Sequence, residues 1–213
     1  MITGSRTNVY ILGAFLAVVA SACATAAPRA DGPVFSPAGA ASTYEMRDSG
    51  SFGSTSKTVT NRSLGERTWR GKTYRALEIE QGTRLSDPVT GEWVAIVKGD
   101  APFVTYEPPL GYNWPLTVGK SFVRKFRVTN HATKQTTDIE ATIKVEAYEE
   151  VTVPAGTFKT FKMIYTDSTG FETINWYNPD GGGWVKIRSR RTSKHPLGPG
   201  TRELDLISRT SAR

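Results

Sequence analysis

The chain has one cysteine, Cys23, and two histidines, His131 and His195, among its 213 residues. A single cysteine excludes an internal disulfide framework and any cysteine-rich metal site. Two histidines leave little material for a histidine-based metal or catalytic centre. The longest uninterrupted apolar run, Val9 to Ala20, is twelve residues. As a helix it would reach about 18 Å, short of the ~30 Å that a spanning segment must cross. Acidic residues are also in deficit. Twenty Asp and Glu against 27 Lys and Arg leave a formal net charge of +7. No G-x-S-x-G elbow, twin-arginine export motif or EF-hand spacing occurs. No cofactor or metal is expected.

What the N-terminus does hold reads as an address. Arg6 precedes the apolar run, and Ser21, Ala22 and Cys23 follow it. A basic start, a short apolar core and a small-residue cleavage zone make a secretory signal. Val19-Ala20-Ser21-Ala22-Cys23 resembles the bacterial lipobox, with Ala20 where leucine is usual. That resemblance implies acylation of Cys23 and a lipid anchor in the membrane. Plain cleavage at Ala22-Cys23-Ala24 or Ala24-Thr25-Ala26 is the alternative. Ala24 in place of aspartate favours the periplasmic face of the outer membrane over inner-membrane retention; without the anchor the domain is soluble in the periplasm. Residues 1–22 are thus read as signal peptide and 23–41, rich in Ala, Pro and Gly, as anchor and flexible linker.

From residue 42 to 213 the dominant period is two. Ile139, Ala141, Ile143, Val145 and Ala147 alternate with Glu140, Thr142, Lys144, Glu146 and Tyr148, the pattern of a strand with one buried face. Phe161, Met163 and Tyr165 alternate with Thr160, Lys162 and Ile164. Turn sequences such as Asp87-Pro-Val-Thr-Gly91 and Asn178-Pro-Asp-Gly-Gly-Gly183 separate the strands. No helical stretch intervenes, so a parallel α/β sheet is excluded. The expectation is an all-β domain: an antiparallel meander of about ten strands forming a barrel or half-open barrel. Outward positions bear Glu140, Lys144 and Glu146, or Lys186, Arg188 and Arg190, which a lipid-facing barrel would not tolerate.

Val151-Thr-Val-Pro-Ala-Gly-Thr-Phe158 forms a strand–turn–strand corner, since Pro154 cannot donate to a ladder and Gly156 permits reversal. This corner, Trp176-Tyr-Asn-Pro179, Trp184-Val-Lys186 and Trp114-Pro-Leu-Thr-Val-Gly-Lys120 resemble a family of uncharacterised exported bacterial proteins. The resemblance covers roughly residues 65–210. It implies an antiparallel, barrel-like periplasmic domain and no catalytic residues. Gly181–Gly183 depart from the family pattern and are expected to loosen that hairpin.

Two functions compete on these residues. Trp93, Tyr106, Trp114, Tyr165, Trp176 and Trp184 lie on or beside strands and could line a cavity for a lipid or other amphiphile. Equally, they could fill the barrel interior. Lys186, Arg188 and Arg190 share one strand face at a spacing of about 6.6 Å, a stripe suited to docking envelope proteins or polyanions. Nucleic acid is not an expected partner of an exported chain. Catalysis is not expected: Glu149 and Glu150 point to opposite faces, Asp138 and Glu140 sit on a strand taken as an exposed edge, and an enzyme would need titratable groups converging near His131 or His195.

Overall fold

The computed structural model describes residue 1 and residues 27–211, so the leader and Cys23 lie outside the described residues. Fourteen strands succeed one another: β1 (Arg29–Ala30), β2 (Ala41–Gly50), β3 (Ser56–Trp69), β4 (Lys72–Ile79), β5 (Gly82–Ser86), β6 (Trp93–Lys98), β7 (Ala101–Leu110), β8 (Leu116–Thr117), β9 (Ser121–Asn130), β10 (Gln135–Val153), β11 (Gly156–Asp167), β12 (Phe171–Tyr177), β13 (Trp184–Arg191) and β14 (Gly200–Thr210). Twelve of them close a barrel, not the ten anticipated, and β1 and β8 form a separate pair. The strand missed by sequence reading is β5.

Closure follows a simple meander. Neighbours in sequence pair antiparallel, β14 returns to β2, and β9 joins both β7 and β10. Asp138 and Glu140 lie on the exposed start of β10, paired with Arg127 and Lys125 of β9 on one side, while the ladder to β11 begins only at Ala141. Closing the sheet removes the unpaired backbone groups that invite aggregation.

Register identifies the two faces. Residues that pair across strands share a face, so Met163, Asn175, Ile187, Leu204 and Met46 form one row around the barrel. Lys162, Trp176, Lys186, Asp205 and Glu45 form the adjacent row on the opposite face. The first row belongs to the lumen and the second to the outside. Ion pairs lace the outside: Arg47 reaches Glu45 and Asp205 at 2.7 Å each, and Lys162 reaches Glu146 at 2.9 Å. Such a surface is incompatible with a lipid-facing band.

Bulges interrupt the alternation in several strand pairs. In β10 the register shifts between Val145 and Ala147. Ile143 and Val145 are buried inward, and beyond the shift Tyr148 takes the inward side, 4.8 Å from the Phe161 ring. Strict alternation had put Tyr148 on the wet face; the extra residue explains the difference. Val151 and Val153 join a cluster with Tyr44, Trp176, Val185 and Leu206. The corner at Pro154-Ala155 is a tight reversal, as expected, with Val153 paired to Gly156. A second shift at Leu64, beside Gly65 with φ of +77°, turns Trp69 and Tyr74 onto Ala76, Leu85, Ala95 and Val97 on the outer side.

Both barrel mouths are covered. At one, β1 pairs with β8, and Ala30 and Leu116 pack with Tyr112 and Trp114 onto Ile143, Phe161 and Tyr177. Residues 31–40 continue as a strap over this mouth. The Val34 amide donates to Tyr177 Oη at 3.1 Å, the Ser63 hydroxyl donates to the Ser36 carbonyl at 2.8 Å, and the Gly39 amide donates to the Ser63 carbonyl at 2.7 Å. From Arg29 onward the stretch read as flexible linker is thus laid against the barrel. Low apolar content does not prevent a segment from docking through its backbone.

At the other mouth, Phe52 lies under Arg191 and Arg202, with guanidinium-to-centroid distances of 3.8 and 5.0 Å. Arg202 is also forked onto Asp48 at 2.8 and 2.7 Å. The Asp48 side chain is only 2% exposed. Removing one partner of such a pair strands a buried charge. Asp48→Ala is expected to destabilise the barrel by about 3 kcal/mol or more in urea unfolding, with Asp48→Leu combined with Arg202→Met recovering most of the loss.

Candidate functional site

A cavity of about 110 Å³ lies beneath the strap. The strap supplies Val34, Phe35 and Ser36; β2 supplies Ser42 and Tyr44; β3 supplies Asn61 and Ser63. Arg75, Leu77, Arg84 and Ser86 come from β4 and β5, and Gly182, Gly183 and Trp184 complete the wall. The lining contains two arginines and no carboxylate.

Local sequence explains how the strap and the β12–β13 turn meet so closely. A Cβ on Gly182, whose φ is +63°, would fall 2.5 Å from the Val34 carbonyl oxygen. One on Gly181 would fall 2.5 Å from Arg209 Nη1. The glycine run expected to loosen this hairpin instead admits the strap and the Arg209 guanidinium. Asn178 ties the turn, its Oδ1 accepting from the Gly181 amide at 2.9 Å and from Arg209 at 3.1 Å.

Arg84 is the unusual group. Its register partners Leu77 and Ile96 share the lumenal face. The guanidinium stacks 4.4 Å from the Trp93 ring centroid, and its Nε is shut from solvent without a hydrogen-bond partner among the described residues. Burial holds its pKa below the ordinary arginine value, offset in part by Tyr106, Tyr44 and Tyr112. Arg209 resembles it. It pairs in register with Ser42, and its Nε is likewise buried and unpartnered among the described residues. Its other nitrogens reach Asn178 and the Trp184 carbonyl oxygen, the latter at 3.4 Å. Burial lowers its pKa too. Tyr44 stands between these influences, donating its phenol to the same Trp184 carbonyl at 2.8 Å.

The six aromatic residues singled out from sequence separate into different places. Trp184 lines the cavity. Trp114 and Trp184 join Tyr112 and Tyr177 in an edge-to-face cluster, with centroids 5.5–6.4 Å apart. Trp93 and Tyr106 are 6.3 Å apart, with Trp93 under Arg84. Tyr165 is lumenal and donates to Asp167 at 2.9 Å. Trp176 is not lumenal: it lies on the outer face, donating to Glu149 at 2.7 Å. Most of these rings pack against each other as interior filling, and a single one borders the cavity. Sequence reading missed Arg84, Arg209, Tyr44, Tyr112 and Tyr177.

The basic stripe is arranged as expected but discharged. Lys186, Arg188 and Arg190 do share the outer face, opposite Trp176, Ile174 and Glu172. Arg188 is forked onto Asp205 at 2.8 Å with Glu203 3.6 Å away, and Arg190 reaches Glu172 at 2.5 Å. Lys186 sits 5.3 Å over the Trp176 ring. A shallower depression of about 380 Å³ over Arg188 and Arg190 therefore offers arginines that already have partners. His131 contacts Thr105 Oγ1 at 3.0 Å, and His195 Nδ1 accepts from the Leu197 amide at 3.2 Å. They occupy separate turns. Among the described residues no group of His, Cys, Asp and Glu could hold a metal ion.

No protein-family description matches the sequence. No curated protein matches it either. Among solved structures, a candidate exported protein with a YmcC-like fold from Bacteroides fragilis aligns over 86% of this chain and 100% of its own, at TM-score 0.49 and 14% identity. A candidate lipoprotein of Parabacteroides distasonis aligns over 84% of this chain and 100% of its own, at TM-score 0.41 and 12% identity. The hypothetical lipoprotein YmcC of Escherichia coli aligns over 82% of this chain and 90% of its own, at TM-score 0.40 and 11% identity. Likenesses at this level assign neither a family nor a ligand.

Burial raises the phenol pKa of Tyr44, Tyr106, Tyr112, Tyr165 and Tyr177, with Asp167 adding to the effect at Tyr165. In the unfolded chain a phenol ionises near pH 10. Folded stability is therefore unaffected by these groups below about pH 10 and falls as pH rises above it. A titration followed by phenolate absorbance is expected to show these five ionising above the ordinary phenol range, with Tyr112 and Tyr165 released last, together with alkaline unfolding.

Proposed function

We propose that the protein is a non-catalytic, exported cell-envelope domain that binds an amphiphilic envelope molecule by its polar end. The observation that carries this reading is the polar cavity roofed by residues 34–36, beside a packed cluster of Leu116, Ile143, Val145, Phe161, Met163 and Tyr177. A volume near 110 Å³ suits a headgroup and a few carbons, not a whole acyl chain. The tail would leave past the strap. Exposed Val34, Val89 and Val118 lie at that end: on the strap itself, on the turn whose Gly91 abuts Pro33, and beside the β1–β8 pair.

The anchor reading fits the same geometry. Cys23 precedes Arg29 by six residues, so an acylated Cys23 would hold the strapped mouth within about 20 Å of the membrane, where amphiphiles reside. The docking alternative has less support, because the carboxylates beside Arg188 and Arg190 already neutralise the stripe it needs. His131 and His195 stand on separate turns, in contact with Thr105 and Leu197 respectively.

Protein purified from the envelope without detergent should carry a stoichiometric amphiphile, detected by mass spectrometry of an organic extract. An empty extract, together with no uptake of a fluorescent fatty acid, would sink the reading. Separately, Cys23→Ser is expected to move the chain from the membrane fraction to the soluble one and to end labelling by radioactive palmitate. Labelling that survives the substitution would remove the anchor at Cys23.

A further inference from the structure

Resting on the amphiphile reading and sharpening it, we infer that the bound end is an anion: the cavity beneath the strap holds a carboxylate or phosphate group between Arg84 and Arg209. Four observations carry the assignment. The cavity wall has Arg75 and Arg84 and no acid, and Arg209 lies just behind it, its Nη2 3.9 Å from where a Cβ on the lining residue Gly183 would stand. Arg84 makes no hydrogen bond or ion pair to any described residue, although its guanidinium offers five N–H donors. Arg209, on the same lumenal face, has only neutral acceptors, Asn178 Oδ1 and the Trp184 carbonyl oxygen. Tyr44 and Trp184, which Arg209 approaches, both line the cavity that Arg84 lines.

Elsewhere in the same barrel, several partly buried arginines have carboxylates, whereas Arg191, at the far mouth, stacks on Phe52 and donates only to Ser51. Arg202 has Asp48, Arg188 has Asp205, and Arg124 has Glu92 at 2.6 Å. A desolvated cation without an opposite charge is costly. Stacking on Trp93 recovers part of that cost for Arg84, because an aromatic face attracts a cation, but it satisfies none of the in-plane donors. A planar carboxylate or a phosphate is the chemistry that a guanidinium fork matches. Tyr44, Ser42 and Asn61 add neutral polar groups on the same wall. A neutral head would compensate neither guanidinium, whereas a carboxylate supplies one negative charge between them and a phosphate up to two.

The test uses the full exported chain, delipidated, with three probes: a fluorescent fatty acid, its methyl ester, and inorganic phosphate as a competitor. The acid is expected to bind about tenfold or more tighter than the ester, and that preference is expected to vanish in Arg84→Met and to fall in Arg209→Gln. Phosphate binding with no uptake of either fluorescent probe would keep the anion site and overturn only the amphiphile reading. Equal binding of acid and ester would overturn the anion site and leave the amphiphile reading standing. Absence of binding by all three would overturn both. A second readout guards against a merely structural role. Ligand-free Arg84→Met should unfold at a higher temperature than the parent, because a desolvated charge is gone. A lower midpoint would mean that Arg84 serves packing on Trp93, and the inference would fall.

Discussion

Twelve strands closed on themselves enclose more space than twelve rows of ordinary side chains fill. Most of the molecule answers that single constraint. Eight-stranded barrels fill with aliphatic side chains; a wider one needs larger inward groups, plugs at the ends, or a void. This barrel uses all three. Tyr112, Trp114, Tyr177 and Trp184 interlock edge to face where the β1–β8 pair caps one mouth. Phe52 and the Asp48–Arg202 fork close the other. The remaining space is the small polar cavity under the strap. Its position is set by where the aromatic filling ends, and its polarity by the arginines and hydroxyls that line it.

The class of fold was legible because one covered and one wet face give a period of two, and β9, β10 and β11 obey it for long runs. Legibility failed where that premise failed. Around β5 both faces are covered: Leu85 lies beneath Trp69 on the outer side, while Arg84 points into the lumen. Apolar alternation would have placed Leu85 inward and Arg84 in water, so the most informative residue of the site sat at a position that a strand pattern assigns to solvent. Bulges caused the second loss. At Val145–Ala147 and at Ser63–Gly65 one extra residue exchanges the faces, and nothing in composition marks the first of these. Tyr148 was assigned to the wrong face for that reason. The glycine run at 181–183 was visible, but its purpose depends on Val34 and Arg209, which approach it only in the closed barrel.

Charge tells the two faces apart more sharply than hydrophobicity does. A net charge of +7 invites a search for a basic surface. On the outer face, however, cations and carboxylates alternate around the barrel, and Arg47, Arg188, Glu203 and Asp205 form one connected lattice. Exposed pairs of this kind contribute little stability each. Their consequence is a wall that attracts neither lipid nor a polyanion strongly. Inside, by contrast, Arg84 and Arg209 have no carboxylate partner among the described residues, and burial lowers the pKa of both.

That inversion gives the strap its importance. An interior cation can be matched only by a ligand that passes the mouth, and the strap is what lies across it. Its hold is mostly backbone: Val34 to Tyr177, Ser36 to Ser63 and Arg75, Gly39 to Ser63. Few of its side chains enter a hydrophobic core, so it can yield at the cost of a few hydrogen bonds, each worth roughly 1 kcal/mol net. A segment bound this way opens more readily than any barrel strand, whose backbone groups are paired on both sides. The cavity is then partly covered yet reachable, and the chain that covers it is the same chain that leads back to Cys23. In an anchored protein the entrance and the membrane would be joined by a handful of residues, so the mouth that admits the ligand would also be the one held nearest its source.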